Sequence, residues 1–447
     1  MINAQSPASA RLRTSFYNVI VPHTQEGAIL FNSLSGALFR VSTQMLPRLQ
    51  TAFSGNLSSL SDEEIETLLI NRFLIDEDTD ELTLLKARNW LGRMRGSDFT
   101  LSILLTLDCN FACRYCFEQR RAEHLGQDTE QRIYRFVAEK ARRCDLFSVD
   151  WYGGEPLTQW TSLRRMNDRI SHICKAVNCE YEVSITTNGY LLRRDIVEYL
   201  RQFRVSHLQI TLDGPPEVHD RLRPTRSGEG TFSRILQNIQ HAAEYLPITI
   251  RINTLEENIQ AVGQLIEVLE DAGLRNKVLF LIKAVVSSPA NPCEDSCLSP
   301  VTFSLKAIEQ YRRAFERGWV IFPNIEHLRT YEFCIADSAN HFLVDPHARL
   351  YKCGERFTID ESVGYIRDDG HEVLNFERWA NWVARDPFAY QECVECKILP
   401  LCMGGCSMKR FWKKKDWCLE VRHNLDKFLQ LVCMSQERME EEGGKES

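Results

Sequence analysis

Hydrophobic and polar positions change character three times along this chain. Over residues 28–41 the run AILFNSLSGALFRV predicts a β-hairpin, two apolar arms around a turn region at 32–36. Two helical patterns follow, near 44–53 and 61–74, the second opened by Ser61 and Glu64 at capping-box spacing. An acidic turn at 76–80 leads to a short strand over 81–85 and a linking helix over 84–95. From 100 to about 284 the pattern is strand, helix, strand. Six apolar segments read as strands: 101–107, 147–151, 181–186, 207–212, 248–253 and 278–283. Amphipathic stretches such as 130–143 and 259–272 separate them. Such alternation predicts an α/β fold with a parallel sheet and right-handed crossovers. Past a linker containing Ser287, Pro289, Asn291 and Pro292, helical stretches lead to a hairpin over 342–353 and a last amphipathic helix over 425–439.

With 447 residues the chain exceeds one ordinary core. The patterns divide it into 1–95, 96–285 and 286–447. A formal charge of −7 argues against nucleic acid as a partner. No run approaches a membrane span and the N-terminus lacks a signal peptide's apolar core, so a cytoplasmic protein without membrane partners is expected. The sixteen cysteines are uneven: none precedes Cys109, and five fall between Cys393 and Cys418. In a reducing compartment such clustering suggests metal rather than disulfides.

Cys109, Cys113 and Cys116 stand at C-x₃-C-x₂-C spacing directly after the first strand of the alternating region. Three thiolates on one tight loop can hold three corners of an iron–sulfur cube and leave the fourth iron open to a small molecule. A zinc knuckle is the alternative, although zinc usually takes two tight pairs rather than a triplet.

This triplet, with Tyr115 before its last cysteine, resembles the radical S-adenosylmethionine (SAM) enzymes. The resemblance implies a partial six-stranded (β/α) barrel, SAM chelated on the open iron of a [4Fe–4S] cluster, and a 5′-deoxyadenosyl radical that abstracts hydrogen from substrate. Tyr115 is read as a cofactor contact. Gly153-Gly154-Glu155-Pro156, after the second strand, is similar to the family's GGEP motif, which binds the SAM amino group. Thr187 and Asn188, after the third strand, match the segment facing the SAM ribose and methionine portion. Thr211-Leu-Asp213-Gly214, followed by His219, Asp220 and Arg223, looks like the family's S-L-D-G…H-D…R stretch. Thr211 replaces serine there and keeps a hydroxyl for the SAM carboxylate. Arg251 and Asn253 resemble its R-x-N pattern. Arg223, Arg251 and Asn253 could equally be structural hydrogen bonders.

Cys334, Cys353, Cys393, Cys396, Cys402, Cys406 and Cys418 resemble the SPASM extension, which carries auxiliary [4Fe–4S] clusters. The resemblance assigns Cys393, Cys396, Cys402 and Cys418 to one cluster and Cys334, Cys353 and Cys406 to another. Cys293 or Cys297 could complete the second, or an iron stays open to a substrate thiolate. Two structural zinc sites are the alternative. Ala348 stands where the family usually has glycine, so a different turn is expected. Glu355 is a candidate base, because Gly354 occupies the position where sulfatase-maturating enzymes place an aspartate. Cys144, Cys174, Cys179 and Cys433 read as core thiols. His124, His172 and His241 read as solvated or structural.

The hairpin and small helices of 1–95 resemble a winged-helix peptide-recognition domain, in which a leader peptide adds a strand to the hairpin edge. A structural cap is the alternative. Together these likenesses imply a maturase for a ribosomally made precursor peptide with a leader, installing a crosslink such as a thioether. A flavodoxin or ferredoxin would donate electrons. The alternatives are an anaerobic sulfatase-maturating, formylglycine-generating enzyme and a non-catalytic iron–sulfur or zinc binding protein.

Overall fold

A computed structural model describes residues 11–23, 27–118, 120–287, 296–321, 333–411 and 418–443. Strand β1 (Leu12–Thr14) precedes β2 (Asn18–Pro22), β3 (Ala28–Asn32) and β4 (Leu38–Val41). The last three form an antiparallel sheet in the order β2-β3-β4. Every residue of β3 is buried, because the sheet is covered on both faces. Leu30 packs with Leu49 and Leu68 of helices α1 (Met45–Phe53) and α2 (Asp62–Ile70). Ile29 and Phe31 point the other way, onto Leu429 and Val432 of the C-terminal helix Leu425–Gly443. The predicted capping box opens α2: Glu64 N–H donates to Ser61 Oγ at 3.2 Å, and Ser61 N–H to Glu64 Oε2 at 2.7 Å.

Strand β5 (Leu74–Asp76) pairs antiparallel with β1. The strand expected over 81–85 does not form; those residues open helix α3 (Glu81–Met94). Asp80 caps it by accepting from Thr83 N–H at 3.0 Å. Glu81, Leu85, Asn89 and Arg93 are its buried residues, a spacing of four that belongs to a helix face rather than to strand alternation.

The six expected strands form as β6 (Asp98–Thr106), β7 (Leu146–Gly153), β8 (Glu180–Thr187), β9 (Val205–Thr211), β10 (Ile248–Thr254) and β11 (Val278–Ala284). They are parallel neighbours in the order 11-10-9-8-7-6. Helix α4 (Gln127–Lys140) lies between β6 and β7, and α5 (Trp160–Ala176) between β7 and β8. The sheet does not stop at six strands. β12 (His341–Val344) joins β6 in parallel and leads into antiparallel β13 (Arg349–Tyr351), β14 (Gly364–Ile366) and β15 (Glu372–Leu374). The 342–353 hairpin therefore continues the central sheet.

The β12–β13 turn keeps a glycine-like conformation despite Ala348, whose φ is +60°. Asp345 holds it there: its Oδ1 accepts from His347 and Arg349 N–H at 2.9 Å each, and its carbonyl from Ala348 N–H at 3.0 Å. The different turn expected from that alanine is thus replaced by a strained residue in the left-handed region. Among the described residues no helix is long and apolar enough to cross a membrane.

Candidate functional site

The C-terminal ends of β6 to β11 surround a cavity of about 370 Å³. Its first wall is the loop after β6, which carries Cys109, Cys113 and Cys116. The backbone, not the thiols, fixes that loop. Ala112 N–H donates to Pro224 O at 2.8 Å and Arg114 N–H to Leu222 O at 3.0 Å, while Phe111 is buried beneath. Burial pushes the Cys109 thiol up to about 12 and that of Cys116 up to about 11, and raises Cys113. Thiols so desolvated ionise against a bound cation, as iron provides.

Gly153 and Gly154 bring the end of β7 against this loop. Gly153 has φ +111°, and a Cβ there would lie 2.4 Å from Thr106 O. A Cβ on Gly154 would lie 2.1 Å from Asp108 O, one residue before the first cysteine. Gly154→Ala is accordingly expected to displace the cysteine loop and lower iron loading at that site, measured as iron per chain after reconstitution against a Gly96→Ala control. Gly96 has open space where its Cβ would go and no left-handed backbone.

Thr187, Asn188, Thr211, Arg223, Asn253 and Tyr115 also line the cavity. Glu155 and Asp213 do not. Both are fully buried and hold the residues that do. Glu155 Oε1 accepts from Thr187 Oγ1 at 2.7 Å, and its Oε2 accepts from Asn188 N–H at 2.7 Å. Asp213 accepts from the Tyr115 hydroxyl and, at 2.8 Å, from Asn253 N–H. Arg223 Nη1 donates to Tyr115 Oη at 2.5 Å, and its buried Nε has no partner among the described residues. His219 belongs to the same support, accepting from Asp213 N–H at 3.2 Å.

The same cavity is also lined by Cys353, Glu355, Cys406 and Cys418. Asp337, three residues after Cys334, gathers part of it. Its buried carboxylate accepts from Ser407 Oγ at 2.6 Å and pairs with Arg385 at 2.5 Å. Arg385 in turn donates to Met403 O at 3.1 Å. Cys334 and Cys406 are thereby drawn toward Cys353. Burial raises the Cys353 thiol, and the charges of Cys334 and Cys406 add to the rise. Cys402 is raised in the same way, by burial and then by Cys418, Cys393 and Cys396. Cys334 and Cys406 are thus charge neighbours of Cys353, and Cys418, Cys393 and Cys396 of Cys402. Arg422 Nη1 donates to Cys418 Sγ at 2.9 Å, and Arg410 Nη2 to Cys393 Sγ at 3.5 Å. Cys297 is disulfide-bonded in this structure, and Cys293 lies outside the described residues.

Glu118 was not singled out by motif reading. It lines the cavity two residues beyond Cys116, and its buried Oε2 has no hydrogen-bond partner among the described residues. Burial, then the neighbouring Glu355, pushes its carboxyl up to about 8; burial raises Glu355 as well. Tyr152 also faces the cavity. Strand alternation could have found it, since its neighbours Trp151 and Gly153 are the buried positions of β7. Cys144 and Cys179 lie 3.7 Å apart beside buried Cys174, away from the cavity. His124 bonds Thr106 Oγ1 at 2.8 Å, a structural contact.

The donor set fits the groups that this arrangement calls for. Three desolvated thiols face one side of the cavity, hydroxyl and amide side chains line its floor, and an unpartnered Arg223 Nε lies beside it.

Residues 103–269 match the Radical SAM superfamily model. A serine-type anaerobic sulfatase-maturating enzyme of Klebsiella aerogenes is 22% identical over 67% of this chain and 76% of its own length. The radical SAM cyclopropyl synthase TigE of Paramaledivibacter caminithermalis is 21% identical over 84% and 85%. Among solved structures, anSMEcpe with bound AdoMet and Cp18Cys peptide superposes with a TM-score of 0.61 at 17% identity, covering 76% of this chain and 99% of that one. Streptococcus suis SuiB bound to precursor peptide SuiA gives 0.52 at 14% identity, covering 92% and 98%.

Proposed function

We propose that this chain, a radical SAM enzyme by its domain at 103–269, modifies a ribosomally made precursor peptide and installs a covalent crosslink, with a thioether as the favoured bond. The observation that carries this reading is the cavity itself. It is lined by Cys109, Cys113 and Cys116 and also by Cys353, Cys406 and Cys418, with the carboxylates of Glu118 and Glu355 on the same lining. A substrate entering there meets both cysteine sets at once. Similarity to SuiB bound to precursor peptide SuiA, and to anSMEcpe with its bound Cp18Cys peptide, supports a peptide substrate.

The radical SAM domain uses SAM and a [4Fe–4S] cluster, which together supply the one-electron chemistry that removes a hydrogen atom from carbon. Cys109, Cys113 and Cys116 would hold that cluster. Thr187, Asn188, Thr211, Arg223 and Asn253 would bind and orient SAM, with Glu155 and Asp213 bracing them from below. Cys334, Cys353 and Cys406, and separately Cys393, Cys396, Cys402 and Cys418, would hold auxiliary clusters. Full loading then amounts to about twelve irons per chain, from three four-iron clusters. Two zinc ions with only about four irons would instead make the C-terminal sets structural zinc sites.

Glu118 and Glu355 face the substrate space, and each can take a proton from the peptide. Glu118→Gln and Glu355→Gln are each expected to reduce modified peptide per 5′-deoxyadenosine by about a hundredfold, the size of a general-base contribution. An unchanged ratio in both variants would leave the carboxylates without a part in the chemistry.

The leader would add a strand at β4, an edge of the N-terminal sheet. Beside it a groove of about 420 Å³ is lined by Phe39, Val41, Met45 and Leu49, with Glu63 and Glu64 on its rim. Deleting the whole segment would uncover Leu429 and Val432 of the C-terminal helix, so a point change in the groove is the cleaner test. Met45→Asp is expected to weaken precursor binding about tenfold, read by anisotropy of a labelled peptide, from the lost apolar burial. Unchanged affinity would make the segment a structural cap.

Formylglycine formation is a second reading, favoured by the likeness to sulfatase-maturating enzymes. Gly354 in place of an acid after Cys353 counts against it.

A further inference from the structure

We infer that His23, Cys433 and Glu437 form a zinc site that staples the N-terminal sheet to the C-terminal helix. The three ligand atoms converge from elements about as distant in sequence as the chain allows. His23 follows the end of β2, while Cys433 and Glu437 lie one helical turn apart on the helix Leu425–Gly443. Residues four apart share a helix face, so both can point at one ion. His23 Nε2 stands 3.6 Å from Cys433 Sγ and 3.6 Å from Glu437 Oε1. Cys433 Sγ stands 3.9 Å from Glu437 Oε1. Tetrahedral zinc with bonds of about 2.0–2.3 Å separates such ligand atoms by about 3.4–3.6 Å. The triangle is therefore metal-sized and needs to close by only a few tenths of an ångström.

The surroundings agree. Gln430 Nε2 donates to Pro22 O at 2.8 Å and pins the end of β2 to the helix beside the site. Cys433 is buried within the apolar contact of Val21, Ile29, Leu429 and Val432, where a sulfur, an imidazole nitrogen and a carboxylate have no packing reason to meet. One sulfur with nitrogen and oxygen is a donor set that borderline-soft zinc accepts. Glu437 is partly exposed, which leaves a fourth corner for solvent. The charged neighbours are Arg40, whose Nη1 donates to Glu437 Oε1 at 3.0 Å, and Glu440, paired with Arg40 Nη2 at 2.9 Å. Arg40 orders the ligating carboxylate in the way outer partners of metal ligands do. It is half-exposed, so solvent screens its charge. None of the three residues lines the central cavity, so the site is independent of the iron-binding cysteines.

The experiment uses full-length protein reconstituted anaerobically with iron and sulfide, incubated with excess ZnCl₂, desalted, and assayed for both metals. The wild type is expected to retain one zinc per chain beyond its full iron. His23→Ala/Cys433→Ser should lose that zinc with iron unchanged. Glu437→Gln, a change at the solvent edge that leaves the apolar contact intact, should weaken zinc affinity about tenfold, within the range found when metal-site hydrogen bonds or ligands are altered. Zinc X-ray absorption should show one sulfur among nitrogen and oxygen neighbours. Equal zinc in wild type and both variants, an all-sulfur shell, or no zinc in the wild type would each overturn the site.

Discussion

Replacing Cys109, Cys113 and Cys116 together with alanine is expected to abolish SAM cleavage and remove about four irons per chain, while leaving the irons proposed for the C-terminal cysteines. The effect is expected to be complete, because these three thiols are the proposed ligands of the cluster that would hold SAM against the cavity lining. Global unfolding does not explain such a loss. The loop is tied to 222–226 by main-chain bonds, Ala112 to Pro224 and Arg114 to Leu222, and is anchored by buried Phe111. The alanine variant keeps all of these. The same variant should still bind precursor, since the β4 groove shares no residue with the cavity. Iron content, 5′-deoxyadenosine formation and peptide anisotropy on one preparation separate the outcomes. Cleavage that survives in the triple variant would refute the cluster assignment.

On the proposed thioether reading, turnover of the cognate precursor is expected to yield a peptide about 2 Da lighter, with one fewer alkylatable thiol and one 5′-deoxyadenosine per bond. The balance fixes these signs. A hydrogen atom leaves carbon and ends in 5′-deoxyadenosine. The thiol loses a proton and one electron as sulfur joins that carbon, and the electron passes to an acceptor of the iron–sulfur class. Mass spectrometry with and without iodoacetamide reads both quantities. Loss of two hydrogens with every thiol still alkylatable would replace the thioether by a carbon–carbon or carbon–oxygen crosslink. Loss of a cysteine's sulfur would place the enzyme with formylglycine formation. A peptide of unchanged mass beside abundant 5′-deoxyadenosine would sink the peptide substrate itself.

Much of this site was legible because its signals are local. Strand β6 reads as a near-continuous apolar run, while β7 and β10 alternate buried and half-buried positions, and periodicity detects either pattern without knowing the neighbours. The cysteine triplet, the Gly153-Gly154 pair and the Ser61 capping box each occupy a few consecutive residues whose geometry the backbone dictates. Errors arose where a short segment was ambiguous. Residues 81–85 carry apolar positions compatible with either period, and only docking of Glu81 against Ser15 and Phe16 selects the helix; Phe16 N–H donates to Glu81 Oε2 at 2.9 Å.

The sequence by itself determined that three thiols share one loop at the end of a buried strand, that two glycines follow the next strand, and that Cys393/Cys396 and Cys402/Cys406 come as close pairs. Only the tertiary structure decided what meets across the chain. It turned Glu155 and Asp213 inward, where their carboxylates satisfy buried N–H and hydroxyl groups. It set Glu118 beside Glu355. It joined β12 to β6 and drew Cys406 back toward Cys334 through Asp337. It placed His23 against Cys433 across 410 residues of chain. Spacing encodes what the backbone brings together within a few bonds. Contacts between distant segments depend on which apolar faces bury one another, and no single segment's pattern records its partner.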